Sequence, residues 1–128
     1  MSAYAIVNLL EIEDNVSGRV PGLEGRFSRQ LLGSSDLGVS HWRYAPGTRN
    51  PTAHRHREQE EAYVVVAGSG RVLLDGEVRD IRRWDVVRVA PAVVRAFEAG
   101  PEGLELIAVG GPKPEGGDGV PSDSPWPD

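Results

Sequence analysis

The chain contains no cysteine, which excludes disulfides, thiolate metal sites and cysteine nucleophiles. It is also poor in aromatic residues, at 6% of 128 positions. No apolar run approaches the ~20 residues that a membrane-spanning helix needs. Positive charge is in deficit, with 14 Lys and Arg against 19 Asp and Glu and a formal net charge of −5. General nucleic-acid binding requires clustered positive charge to meet phosphates, so neither nucleic acid nor membrane is an expected partner. Met1–Leu10 lacks the basic segment and apolar core of a secretory leader, and a cytoplasmic protein is expected. No Ser-His-Asp arrangement is readable, and Gly68-Ser69-Gly70 has no phosphate-loop context.

What the chain does contain is glycine, 16 residues, and proline, 10 residues, within a sequence that is 39% hydrophobic. Many turns and short apolar runs point to one all-β domain with a modest core. Tyr4–Val7 reads as an edge strand, and Arg26–Leu32 as a helical turn. From residue 38 the pattern becomes strand after strand: Val39–Ala45, Glu61–Ala67, Arg71–Leu74, Glu77–Ile81, Trp84–Val89, Val94–Phe97 and Leu104–Val109. Asp75-Gly76 is the two-residue signature of a tight hairpin, and Gly68-Ser69-Gly70 reads as another hairpin turn. Strands this closely spaced indicate a small sandwich or barrel. The domain is expected to span residues 1–110. Residues 111–128 are rich in Gly, Pro, Ser and Asp, and are expected to be disordered. Trp126 is the exception, an indole that either docks on the body or a partner chain or stays solvated.

The chemistry concentrates at His54-Arg55-His56, followed by Glu61. Histidines at i and i+2 of a strand share a face, because side chains alternate with period 2. Glu61 lies an odd number of residues further on, so Arg57-Glu58-Gln59-Glu60 must form a turn or bulge before a returning strand. Together the three residues make a 2-His-1-carboxylate set, which suits a divalent metal with open coordination positions. Tyr63 shares the Glu61 face and either contacts a substrate or packs in the interior. One of the pairs His41/Arg43 and Trp42/Tyr44 should face inward, and parity alone does not choose. An inward His41 would be a spare ligand or a substrate-binding base.

Gly47, His54, His56, Glu61 and Gly68 resemble the first motif of the cupin superfamily, G-x5-H-x-H-x(3,4)-E-x6-G, with one extra residue between Gly47 and His54. The resemblance covers roughly residues 37–110 and implies a double-stranded β-helix, a jelly-roll barrel with the metal and substrate site inside. Residues 69–83 form the short spacer typical of small microbial members. The family's second motif, G-x5-P-x-G-x2-H-x3-N, is largely replaced. Trp84 takes the first Gly position, Ala90 that of Pro, Ala92 the second Gly and Ala99 that of Asn. In place of a turn glycine, Trp84 is expected to cover an apolar surface or an interface. Arg95 stands where the fourth metal ligand, a histidine, is expected.

Arginine cannot ligate a metal, since it stays protonated and has no acceptor atom. A guanidinium about 5 Å from a dication would oppose it by about 7 kcal/mol at an effective dielectric near 20. Three arrangements remain open. His54, His56 and Glu61 could bind Fe, Mn, Zn or Ni while Arg95 orients an anionic substrate. Arg95 could instead pair with Glu61 through a bidentate contact, leaving a metal-free ligand-binding module. Or Arg95 could point outward as a solvated side chain. The resemblance implies a small-molecule partner and a homodimer. It accommodates a metal-dependent oxygenase or isomerase as readily as a binding protein, because fold does not determine reaction.

Overall fold

A computed structural model describes residues 3–123 and 126–128. Among them, eight strands form one curled sheet: β1 (Leu23–Phe27), β2 (Gly38–Tyr44), β3 (Ala53–His56), β4 (Glu61–Leu74), β5 (Glu77–Arg82), β6 (Val86–Val89), β7 (Arg95–Gly110) and β8 (Gly119–Ser122). A single helical turn, α1 (Arg29–Leu32), and a 3-10 turn at Leu9–Glu11 are the described helical pieces. Neither is long and apolar enough to cross a membrane.

The sheet closes on itself through β4 and β7, which pair along nearly their whole lengths, while β2 and β3 join the other edge of β7. The sequence pattern divides each long strand at its glycines, yet both run straight through. At Val65/Ala67 and Gly68/Gly70 the β4–β7 register shifts by bulges, which bend a strand without ending it. Gly68 adopts φ +74°, and a Cβ there would stand 2.1 Å from the Gly103 carbonyl oxygen. The last glycine of the motif is therefore required by close backbone approach at a barrel corner. The Asp75-Gly76 hairpin forms as expected, with both residues at positive φ and Leu74 opposite Glu77.

Alternation places Tyr44, Tyr63, Val65, Val72, Val89, Phe97, Leu104 and Leu106 in the interior, all buried. Trp42 packs against this core. The parity left open on β2 thus resolves with Trp42 and Tyr44 inside, and His41 and Arg43 on the outer face.

Three expectations need correction. Tyr4–Val7 forms no strand; Tyr4 and Ile6 are 82% and 91% exposed, so the run buries too little apolar surface to offset the cost of ordering it. Trp84 covers no apolar surface among the described residues, which leaves an interface as the other role expected of it. Its indole is exposed beneath the Arg83 guanidinium, and its backbone keeps the positive φ of 76° that a turn glycine would supply.

The third correction is the largest. The tail expected to be disordered is ordered in its described residues, because the β3 edge offers it unpaired backbone groups. Strand β8 pairs antiparallel with β3, with Ala53 opposite Ser122 and His56 opposite Gly119. Beyond it Trp126 packs on Ala53, Leu73 and Ala96. The Arg49 guanidinium lies 4.5 Å from the Trp126 ring centroid and that of Arg71 5.4 Å. Both arginines also pair with Asp128 and Glu98, so cation–π contacts and ion pairs reinforce the docking.

Candidate metal centre

Strand β3 carries His54 and His56 on one face, and β4 begins with Glu61. The polar turn between them is held by Asp118, whose Oδ2 accepts the backbone N–H of Glu58 at 2.7 Å and of Gln59 at 2.8 Å. As a result the three expected donors converge: ligand atoms of His54, His56 and Glu61 lie within 4.8 Å of one another. His56 Nε2 is 3.3 Å from Glu61 Oε1, and His54 Nε2 is 4.0 Å from the same oxygen. Ligands bound at about 2.0–2.2 Å to one ion sit roughly 3–4 Å apart, so small side-chain adjustments suffice.

The second ring nitrogen of His56 decides how the first is presented. Nδ1 lies 2.8 Å from Asp118 Oδ1. A carboxylate can only accept, so Nδ1 carries the proton and donates it, leaving the Nε2 lone pair toward the site in the neutral ring. Nε2 is buried and has no hydrogen-bond partner. Buried polar atoms are nearly always satisfied, and an orphaned imidazole nitrogen facing a carboxylate and a second histidine fits a cation. On this test the donor set suits a divalent metal.

Burial and local charge set the protonation of the cluster. Burial followed by the Arg95 guanidinium lowers the His54 pKa to about 4, so this ring is neutral near pH 7. The neighbouring Glu61 carboxylate, with Asp118 behind, raises His56 above its ordinary value against the effect of burial. Burial pushes the Glu61 carboxyl up, but His56, Tyr63 and Arg95 together hold it below its ordinary value. Tyr63, buried against Phe97 with ring centroids 4.7 Å apart, donates its hydroxyl to Glu61 Oε1 at 2.5 Å. Burial and the Glu61 charge push the phenol pKa well up, so it stays a donor. Tyr63 holds the carboxylate in place from within the core.

Arg95 lies behind Glu61, not in front of it. Its side chain is fully buried; Nη1 donates to the Val93 carbonyl at 2.8 Å and the Pro91 carbonyl at 3.2 Å, and Nη2 to Glu61 Oε1 at 3.3 Å. A solvated arginine is excluded. The contact with Glu61 exists but is single, not the bidentate fork expected. Inward alternation on β7 places Arg95 on the face of Phe97 and Ala99, and its Nε is buried without a hydrogen-bond partner.

His41 is not brought to this site. Residues in antiparallel register share a face, and His41 lies opposite Ile107, which lies opposite Val64. That face is the reverse of the one carrying Glu61 and Tyr63. There His41 is buried, with Nε2 2.6 Å from Glu105 Oε2 and Nδ1 3.3 Å from Arg26 Nη1. Conversely, Asp118 was not a candidate from the sequence. Its only local signal is an acidic residue among Gly116, Gly117 and Gly119, which reads as an ordinary loop.

Known proteins agree with this architecture. No curated protein matches the chain. Among solved structures, a cupin protein from Bacteroides fragilis superposes with a TM-score of 0.73 at 20% identity, covering 88% of this chain and 86% of that one. A cupin-superfamily sugar phosphate isomerase from Silicibacter pomeroyi gives 0.72 at 20% identity, covering 86% and 77%. An oxalate decarboxylase from Lactobacillus farciminis, in complex with formate, gives 0.71 at 19% identity, with 84% of this chain matched to 34% of that longer one. At such identities the likeness establishes the shared fold. A family model described as a cupin domain matches residues 40–110, more than half the sequence, and the chain belongs to the cupin family.

Proposed function

We propose that the protein binds a divalent metal ion through His54, His56 and Glu61 and receives a small anionic molecule at the positions left open. The observation that carries this reading is His56 Nε2, buried without a partner and turned toward Glu61 by the Asp118 hydrogen bond. Fe, Mn, Zn and Ni all suit two imidazoles and one carboxylate. When bound, the ion supplies Lewis acidity and exchangeable positions for substrate oxygen atoms.

Charge argues for an anion as the second ligand. One guanidinium and a dication stand against the carboxylates of Glu61 and Asp118, leaving about one positive charge in a partly desolvated pocket. An anionic group on the ion offsets it. Arg95 acts through Glu61: it anchors the carboxylate with Tyr63 and adds positive potential from behind. The sugar phosphate isomerase and the formate complex of oxalate decarboxylase, which share this fold, support a small anionic partner.

A second reading has its own observation, the buried Arg95–Glu61 contact. In it, that ion pair replaces the metal and the barrel is a metal-free ligand-binding module. Elemental analysis of tag-free protein decides between them, with His54→Ala/His56→Ala beside it. Near-stoichiometric metal that disappears in the double variant is the expected result. No metal after incubation with Fe, Mn, Zn and Ni would overturn the first reading in favour of the second.

A further inference from the structure

Strand β8 pairs with the strand that carries both histidines, and the residue just before it returns a carboxylate to one of them. Gly116 and Gly117 both take φ +79°, a conformation L side chains rarely adopt, and this turn delivers Asp118 to the β3–β4 junction. Asp118 is 5% exposed. Its two oxygens divide the work: Oδ1 meets His56 Nδ1, and Oδ2 accepts both amides of the turn leading to Glu61. Strand β8 follows at once on the β3 edge, and Trp126, wedged against Arg49 and Arg71, anchors the far end.

From this geometry we infer that Asp118 is a positioning residue of the metal centre and that Asp118, strand β8 and Trp126 act as a strap whose docking is coupled to metal binding. The inference rests on the metal reading above for its functional consequence, but its structural half stands apart. Asp118 selects the His56 tautomer that exposes Nε2, and it fixes the turn that sets the distance from His56 to Glu61. Undocking the strap releases the ring and leaves the β3 edge open, so the site loses one oriented ligand and the rigidity of the strand beneath it. Linkage makes this reciprocal: whatever factor the docked strap adds to metal affinity, bound metal must add to strap docking.

Two measurements on the full-length protein test the inference. Long-range 15N–1H correlation spectra of histidine-labelled, metal-free protein at alkaline pH report the His56 tautomer directly. The wild type should show the Nδ1–H form. Asp118→Ala should shift it toward the Nε2–H form that free imidazole side chains favour, and Asp118→Asn, which keeps an acceptor oxygen, should restore it in part. Cobalt(II) titration should show affinity falling by about 10–100-fold in Asp118→Ala, the usual effect of losing a ligand's outer partner. Hydrogen exchange of the β8 amides should slow on cobalt addition, and Trp126→Ala, which loosens the strap away from the site, should weaken cobalt binding in proportion to its faster exchange.

An unchanged tautomer and unchanged cobalt affinity in a folded Asp118→Ala would overturn the inference while leaving the three-ligand site intact. A wild type that binds no cobalt, but whose His56 tautomer still depends on Asp118, would remove the metal reading and leave the positioning role standing. Strap amides whose exchange ignores saturating cobalt would overturn the coupling.

Discussion

Two histidines in this barrel sit among the same chemical neighbours and have different standing. On the outer face, His41 has Glu105 on one ring nitrogen and Arg26 on the other, with Arg43 completing the network. On the inner face, His56 has Asp118 on Nδ1, Glu61 facing Nε2 and Arg95 behind Glu61. Both combine a buried imidazole with carboxylates and guanidinium groups. The difference is saturation: both nitrogens of His41 are engaged, whereas His56 Nε2 has no hydrogen-bond partner. A cluster of ionisable side chains is structure when its valences are filled. It becomes a candidate site when one lone pair is held open by the very contacts that orient it.

Exchanging histidines for alanine breaks the comparison most strongly. His54→Ala/His56→Ala should lower metal affinity by more than about 100-fold, beyond the loss expected for an outer partner alone, with calorimetric titration as the readout. His41→Ala should leave that affinity unchanged and cost stability, about 1–3 kcal/mol in urea unfolding, because Glu105 loses the shorter of its two partners and keeps Arg43 alone. A metal affinity that follows His41 would show that the outer cluster is part of the site after all.

Arg95 offers the next largest effect, since it decides whether the inner cluster is closer to a metal centre or to a filled ion pair. Arg95→Met removes a buried positive charge and three hydrogen bonds. The metal-free protein should lose about 3 kcal/mol, as buried pairs do when one partner is removed. Its affinity for a dication should rise about tenfold or more, as the repulsion is relieved, and Arg95→His should exceed it by adding a donor. Weaker binding in Arg95→Met would mean that anchoring Glu61 outweighs the repulsion.

The inner set was legible because its determinants are local. His54 and His56 share a face by strand parity, Glu61 returns after a polar turn, and Gly68 marks a backbone corner. The orientation of Arg95 was not local: it depends on which face of β7 turns inward, and that is set by pairing with β4, where Arg95 lies opposite Leu74. His41 and Trp42 posed the same problem, since alternation says that they oppose each other and not which one is inside. The glycines of β4 and β7 read as punctuation because Gly usually ends elements, yet here they form bulges within continuous strands. Asp118 was beyond reach: its order comes from an edge strand far earlier in the chain, and composition alone made its surroundings look unstructured.

Glu105→Gln is a gentler way to sharpen the contrast. Burial pushes the Glu105 carboxyl up, but His41 and Arg43 hold it below its ordinary value, which marks a carboxylate working as an ion. The amide keeps the shape and loses the charge. Unfolding stability should fall by about 1–2 kcal/mol, while metal affinity stays within about twofold because the two clusters share no side-chain partner. A larger change in affinity would reveal coupling through the sheet.

The smallest effect is the pH dependence of the metal-free fold, and its signs follow from the inner cluster. Asp118, with a pKa of about 2, and Glu61, also lowered, contribute stability above the unfolded carboxylate range near 4, and it is lost as pH falls through their folded values. His54, lowered to about 4, is neutral when folded but protonated when unfolded between about 4 and 6.5, so stability rises with pH across that window. His56 is raised; its contribution is complete below about 6.5 and lost as pH climbs through its folded value. Stability should therefore peak near pH 6.5, with the limb between about pH 4 and 6.5 shallower than the ~1.4 kcal/mol per pH unit of one full proton, since His54 is half-exposed and screened. Denaturant melts across pH should show His54→Ala flattening the acid-side limb and His56→Ala the alkaline one. Metal reverses the alkaline limb: an ion needs neutral imidazoles, so its affinity climbs through the same range in which the metal-free fold weakens. If the loaded and metal-free proteins followed parallel pH profiles above 6.5, His56 would not be a ligand, and the open lone pair would have to be explained by something other than a metal.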